Sequence, residues 1–203
     1  MGGHLFLRKY LPPMDEKSTN PDVEELVALI NAADRVDGAH LTTTVEQLRR
    51  DTDILPFRPV SETHQVKDEG DLIGYARLEK LVTEEADCFV CRGIVRPDRR
   101  REGIGTRLVQ HAFTRARALK RRTPSYFDVE TRTCVAGAGE LARSLDLKPV
   151  RWFLLMGRAL TTELPELCLA PGIRLLPFVP GHDEDSYIAA FNAAFSTHRG
   201  FFP

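Results

Sequence analysis

The least freedom in this chain lies between Val95 and Phe113, where it reads VRPDRRREGIGTRLVQHAF. The preceding run, ADCFVCRGIV, has the character of a strand. Four arginines (Arg96, Arg99, Arg100 and Arg101) then stand before Gly103 and Gly105, and Ile104, Leu108, Ala112, Phe113, Ala116 and Leu119 recur at helical spacing. Strand, tight loop and helix in this order place a helix N-terminus at the C-terminal end of a strand. The first N–H groups of such a helix have no internal acceptor, and glycines there let a ligand approach the backbone, so the stretch reads as an anion cradle. It lacks the GK[ST] of a Walker A loop and the third glycine of a dinucleotide turn.

Charge narrows the anion. With Lys+Arg 28 against Asp+Glu 29 and a formal net charge of -1, no global field draws the chain to nucleic acid or an anionic membrane. The arginines are therefore expected around a small phosphate-bearing ligand. No apolar run approaches the roughly 20 residues of a bilayer span, and MGGHLF has no signal core. Four cysteines are too few for a disulfide scaffold in 203 residues, which favours a reducing cytoplasm. Cys88 and Cys91 form a CxxC, but on a strand they point to opposite faces, so structural cysteines are expected and no metal site.

The remaining pattern predicts a mixed α/β layer fold. Strands are expected over 4–11, 62–67, 72–80, 86–95, 125–132 and 149–159. Helices are expected from an Asn20 cap with Pro21 at the first position, then over 43–51, 103–119 and 137–145. An internal echo follows: LFLRKYLP (5–12) matches IRLLPFVP (173–180), and INAA (Ile30 to Ala33) matches FNAA (Phe191 to Ala194). It suggests that a second copy of the fold starts near Gly172.

Val95, Pro97, Arg100, Gly103 and Gly105 spell VxPxxRxxGxG, and the chain resembles the GCN5-related N-acetyltransferase (GNAT) superfamily at that acetyl-CoA motif. Residues 144–150, SLDLKPV, resemble a further family stretch, with Asp146 and Leu147 in place of its Gly-Phe. Residues 154–203 resemble the junction of tandem GNAT proteins of the mycothiol-synthase group. The resemblance implies a GNAT fold with a central mixed twisted sheet of six to seven strands and about four helices. It implies an acetyl-CoA-binding domain over 1–160, a linker over 161–172, and over 173–203 a strand (173–179) and a helix that resemble the start of a second, truncated GNAT domain.

It also implies site residues. Backbone at Ile94 and Val95 would pair with the pantetheine arm, and the N–H groups of Arg101, Glu102, Gly103, Ile104, Gly105 and Thr106 would bind the pyrophosphate, with Arg100 shaping the loop or facing phosphate. The chemistry implied is direct attack of a primary amine, of a small molecule or an aminoacyl or peptide acceptor, on the acetyl-CoA thioester, with CoA as product. The departures concern catalysis. The usual tyrosine acid falls on Ala142, and Phe89 stands where one branch has a base glutamate, leaving Asp87, Glu130 and Glu79 as candidate bases. A non-catalytic, cofactor-binding half of a tandem protein is the alternative, and an interaction module the third class. The apolar 173–198 segment is expected to complete a sheet in cis or in a homodimer.

Overall fold

A computed structural model of the chain describes residues 14–15, 22–39, 42–53, 61–82, 86–154, 156, 159, 161, 163, 166 and 168–197. Its contacts divide it into two units, one ending at Leu147 and the other starting at Lys148.

In the first unit, helix α1 (Val23–Asp37) is opened by Asp22, whose carboxylate accepts from the N–H of Glu24 at 2.8 Å and Glu25 at 3.4 Å. The cap thus falls two residues after the expected Asn20; Asn20 and Pro21 lie outside the described residues. Gly38 closes α1 in the left-handed region. Helix α2 (Val45–Asp53) opens with a reciprocal cap: Gln47 N–H donates to Thr44 Oγ1 at 3.1 Å, and Thr44 N–H donates to Gln47 Oε1 at 2.9 Å.

Strands β1 (Met14–Asp15), β2 (Ser61–Asp68), β3 (Asp71–Val82), β4 (Asp87–Val95) and β5 (Ser125–Glu130) form one sheet in chain order. The pairs are antiparallel as far as β4, and β5 runs parallel to it. The β2–β3 hairpin turns on Glu69 and Gly70, both at positive φ, which matches the twist of the flanking strands.

One residue of β3 is out of phase. Gly74 pairs with Val66 and Leu72 with Lys67, so Ile73 has no partner on β2 and the pleat is bulged there. Leu72 consequently packs with Leu26 and Leu29 of α1, whereas Ile73 joins the cluster on the opposite face. That second cluster includes Val66, Ala76, Leu78, Phe89 and Cys91 against Ile104, Leu108, Ala112 and Ala116 of α3 (Ile104–Leu119). The sheet therefore carries α1 on one face and α3 on the other. A short α4 (Ala138–Ser144) follows β5.

The expectation of six to seven strands is corrected to five among the described residues, the first only two residues long. The described residues of 149–159, and all of 173–179, are extended or irregular without ladder partners. Apolar composition marks a segment that gains by burial, but a strand exists only where a neighbour takes up its N–H and C=O groups. The strand expected over 4–11 lies outside the described residues.

In the second unit, α5 (Glu184–Phe195) follows a turn held by Asp183 and Glu184, which accept from the N–H of Val179 at 2.9 Å and Gly181 at 2.6 Å. Phe178, Tyr187, Phe191 and Phe195 meet ring to ring along it, at centroid distances of 6.0, 6.1 and 4.5 Å. No α5 residue is buried.

Candidate active site

The ladder between β4 and β5 runs from Asp87 opposite Ser125 to Arg92 opposite Glu130 and stops there. β4 itself continues, still paired to β3, until Val95 meets Gly74. Gly93, Ile94 and Val95 thus keep a strand edge with no partner from β5, because the chain leaves the sheet after Glu130 for the loop before α4. An open edge of this kind can take an extended ligand as a strand would. Its end leads straight into the loop that starts α3.

Three of the loop's four arginines are spent within the fold. Arg96 pairs with Asp98 at 2.8 Å and Asp71 at 3.4 Å, and Arg99 with Asp68 at 2.6 Å and Glu102 at 3.1 Å. Arg100 makes a fork on Asp37 of α1, at 2.6 and 2.8 Å, and its Nε reaches Val95 O at 3.3 Å. Its hydrogen bonds to Asp37 raise its pKa against the opposing effect of burial, so its role here is to tie the loop to α1. Arg101 has no carboxylate partner among the described residues. Its backbone is at φ 66, and an added Cβ at Gly137 would come within 2.9 Å of its Nη1. Arg100, Arg101, Ala136, Gly137 and Glu140 line a cavity of about 340 Å³.

The cradle is built from backbone. Gly103 caps α3 at φ 84, in the left-handed region that favours glycine. The first helical N–H with an internal acceptor is that of Arg107, to Gly103 O at 3.1 Å, which leaves those of Ile104, Gly105 and Thr106 to point outward from the helix end. Ile104 is fully buried, and the Glu102 side chain is held by Arg99. Gly105 serves packing as well as approach: a Cβ there would meet Leu141 of α4 at 3.3 Å and Val95 at 3.8 Å.

The three candidate carboxylates separate. Asp87 is buried at the far end of β4, where Lys80 Nζ lies at 2.6 Å and the N–H groups of Arg121 and Arg122 donate to it. Burial works against its charge, but those donors outweigh it and hold the pKa down to about 2, so Asp87 staples the α3–β5 turn and is a poor base. Glu79 and Glu130 are brought together through Arg92, which bonds both where β4 and β5 begin to part. Glu79 is almost fully buried and also takes Arg77 Nε at 2.9 Å, whereas the Glu130 side chain is half exposed.

A second ion pair crosses the parted strands. Asp34 of α1 bonds Arg132, two residues past β5, so the last turns of α1 hold the β4 lip through Asp37–Arg100 and the β5 side through Asp34–Arg132. Arg92, Asp37, Asp34 and Arg132 were not singled out by sequence reasoning. A signal existed in the two aspartates at the C-terminal end of a helix, where the dipole disfavours them. Ala142 on α4 carries no hydroxyl, and Tyr75, opposite Ile94, packs into the α1 cluster with its pKa raised by burial. Cys88 and Cys91 are buried free thiols, Cys91 pushed by burial up to about 12. Among the described residues no helix is long and apolar enough to cross a membrane, and no group of three His, Cys, Asp or Glu could hold a metal ion.

A mixed sheet parted at its fourth and fifth strands, with a glycine-capped helix at the opening, is a GNAT architecture. Residues 26–141 match the family model described as Acetyltransferase (GNAT) family, and the chain belongs to that family. It is 32% identical over 195 residues to a mycothiol acetyltransferase of Pseudarthrobacter chlorophenolicus, covering 94% of this chain and 53% of the relative. It is 35% identical over 181 residues to one of Kineococcus radiotolerans, covering 87% and 56%. The chain thus spans a little over half the length of these curated relatives. Among solved structures, a GCN5-related N-acetyltransferase from Sphaerobacter thermophilus matches at TM-score 0.66 and 24% identity, over 92% of this chain and 60% of that one. An aminoglycoside N-acetyltransferase in complex with CoA matches at 0.53 and 13%, over 75% and 99%. Both structural likenesses are likenesses of fold.

Proposed function

We propose that the chain binds acetyl-CoA along the free edge of β4 and transfers the acetyl group to a primary amine of a small molecule or of an aminoacyl or peptide acceptor. The observation that carries this reading is continuity: the unpartnered edge at Gly93–Val95 runs directly into a cradle of outward N–H groups capped by Gly103. The residues present fit the cofactor. Backbone of Ile94 and Val95 would hold the pantetheine amides, the N–H groups of Arg101 to Thr106 the pyrophosphate, and the Arg101 guanidinium would add charge beside the cavity it lines.

The bound cofactor supplies an activated thioester carbonyl. On the protein side, Glu130 is the candidate carboxylate that an acceptor can reach, so it is assigned the proton lost by the amine nitrogen. Glu79, buried beneath, fixes Arg92 and through it the position of Glu130. The name shared by the curated relatives makes the mycothiol series the acceptor set to assay beside simple amines.

Gly103→Asp places a side chain and a negative charge at the helix start. CoA affinity in calorimetry is expected to fall by at least about a hundredfold, since like charge replaces a favourable helix end; unchanged affinity would remove the cofactor assignment. Free-thiol release separates turnover from the second reading, a cofactor-binding half without catalysis. That reading is favoured by the missing hydroxyl at Ala142. CoA binding with no thiol release across the amine and mycothiol-series panel would establish it.

A further inference from the structure

The cleft leaves one buried acid half satisfied. Asp34 is 4% exposed; its Oδ1 accepts from Arg132 Nη1, and its Oδ2 is shut from solvent with no hydrogen-bond partner among the described residues. Such an oxygen forgoes hydration with nothing in exchange, and native folds rarely leave one without a reason. A second cost coincides with it. Asp34 sits toward the C-terminal end of α1, where the helix dipole opposes a negative charge. Packing alone would be served as well by an apolar side chain.

Position supplies the reason. Asp34 lies one turn before Asp37, whose partner Arg100 is bonded to Val95 O at the end of β4. Arg132, which bonds Asp34, follows the end of β5. Asp34 therefore lies beside the ion pairs that tie the ends of β4 and β5 to α1, on the side of the sheet that α1 covers. A fixed carboxylate oxygen in a site poor in water prefers a charged N–H donor over a neutral hydroxyl.

We propose that Asp34 anchors the acceptor: its Oδ2 receives an N–H of an aliphatic primary ammonium group and holds it beside the ion pairs at the ends of β4 and β5. This rests on the acetyl-transfer reading above. Arg132 is the competing cation, sharing the same carboxylate and yielding part of it when the ammonium arrives. Loss of one N–H proton to Glu130 then frees the nitrogen lone pair.

The test uses the full chain, with and without CoA, and measures binding of putrescine, tyramine and glucosamine beside 1,4-butanediol, tyrosol and glucose. Wild type is expected to bind at least one amine and none of the alcohols. Asp34→Asn is expected to weaken that amine by about tenfold or more, the scale of a charge-assisted hydrogen bond, and to leave CoA affinity unchanged. Arg132→Gln, which removes the competing cation, is expected to tighten amine binding, an effect no purely structural role of the pair would give. Equal binding of amine and alcohol overturns the proposal, as does an Asp34→Asn protein that binds amines normally or a wild type that binds none of the three. Loss of CoA affinity in Asp34→Asn with amines unaffected overturns it too, by giving Oδ2 to the cofactor. Amine binding that behaves as expected while wild type fails to bind CoA would sink the cofactor reading and leave the anchor standing.

Discussion

His64 is a buried base in a place the proposed chemistry does not use. It lies on β2 against α3, its ring meeting that of His111 edge-on at 4.3 Å between centroids, with its Nε2 unpartnered among the described residues. Glu62 and Arg115 pair beside it at 2.8 Å. Burial, reinforced by His111 and opposed by Glu62, pushes its pKa down to about 4 from 6.5. A histidine held neutral in the fold contributes stability that is complete above the unfolded value. That contribution is lost as pH falls from 6.5 toward 4, because the unfolded chain takes up the proton first. Urea unfolding is expected to show about 2 kcal/mol less stability at pH 5 than at pH 7.5, with His64→Leu flattening the difference; a pH-independent wild type over that interval would refute it. The residues that sequence reasoning could reach are those of the glycine loop, where a local pattern reports a local geometry. Asp37–Arg100 and Asp34–Arg132 join positions 63 and 98 apart in the chain, and no periodicity carries such a pairing.

Elements were legible in proportion to how local their causes are. α1, α3, α4 and the β2–β3 hairpin lie within a few residues of their expected places, because caps, turn residues and apolar stripes act over short spans. The stretches 149–159 and 173–179 read as strands on equally good apolar patterns, yet the described residues of the first and all of the second have no ladder partner, since strand formation depends on a partner elsewhere. Contact between elements also decides what Gly74 is for. A Cβ there would come within 2.8 Å of Ile104 Cγ2 and 3.3 Å of Leu108 Cδ1, in the first turns of α3. Ile104 is fully buried at the start of the helix that carries the cradle, so it has little room to yield. Gly74→Ala is expected to cost about 1–3 kcal/mol of stability in chemical denaturation and to weaken CoA binding with it; a variant as stable as wild type would show that α3 can shift.

At the scale of the whole molecule the two halves of the internal echo differ in what covers them. INAA in α1 belongs to a helix whose Ala33 is 2% exposed, whereas FNAA in α5 belongs to one whose Phe191 is 44% exposed. Ile173, Leu175, Phe178, Val179 and Ile188 are more exposed still. We propose that this surface pairs two copies of the chain. Light scattering is expected to show a concentration-dependent dimer that Leu175→Glu with Ile188→Glu disperses; a monomer at every concentration would refute it. The bulge at Ile73 bears on the molecule as a whole in another way, through what lengths the chain tolerates. Residues added or lost at the Glu69–Gly70 turn would only lengthen or shorten a hairpin tip. Removing Ile73, which has no partner on β2, would leave Lys67–Leu72 and Val66–Gly74 as neighbouring rungs and the other side chains of β3 on their present faces. Removing a paired residue such as Ala76 would instead reverse which side chains beyond it meet α1 and which meet α3, so the paired run is the part of the strand whose length is fixed.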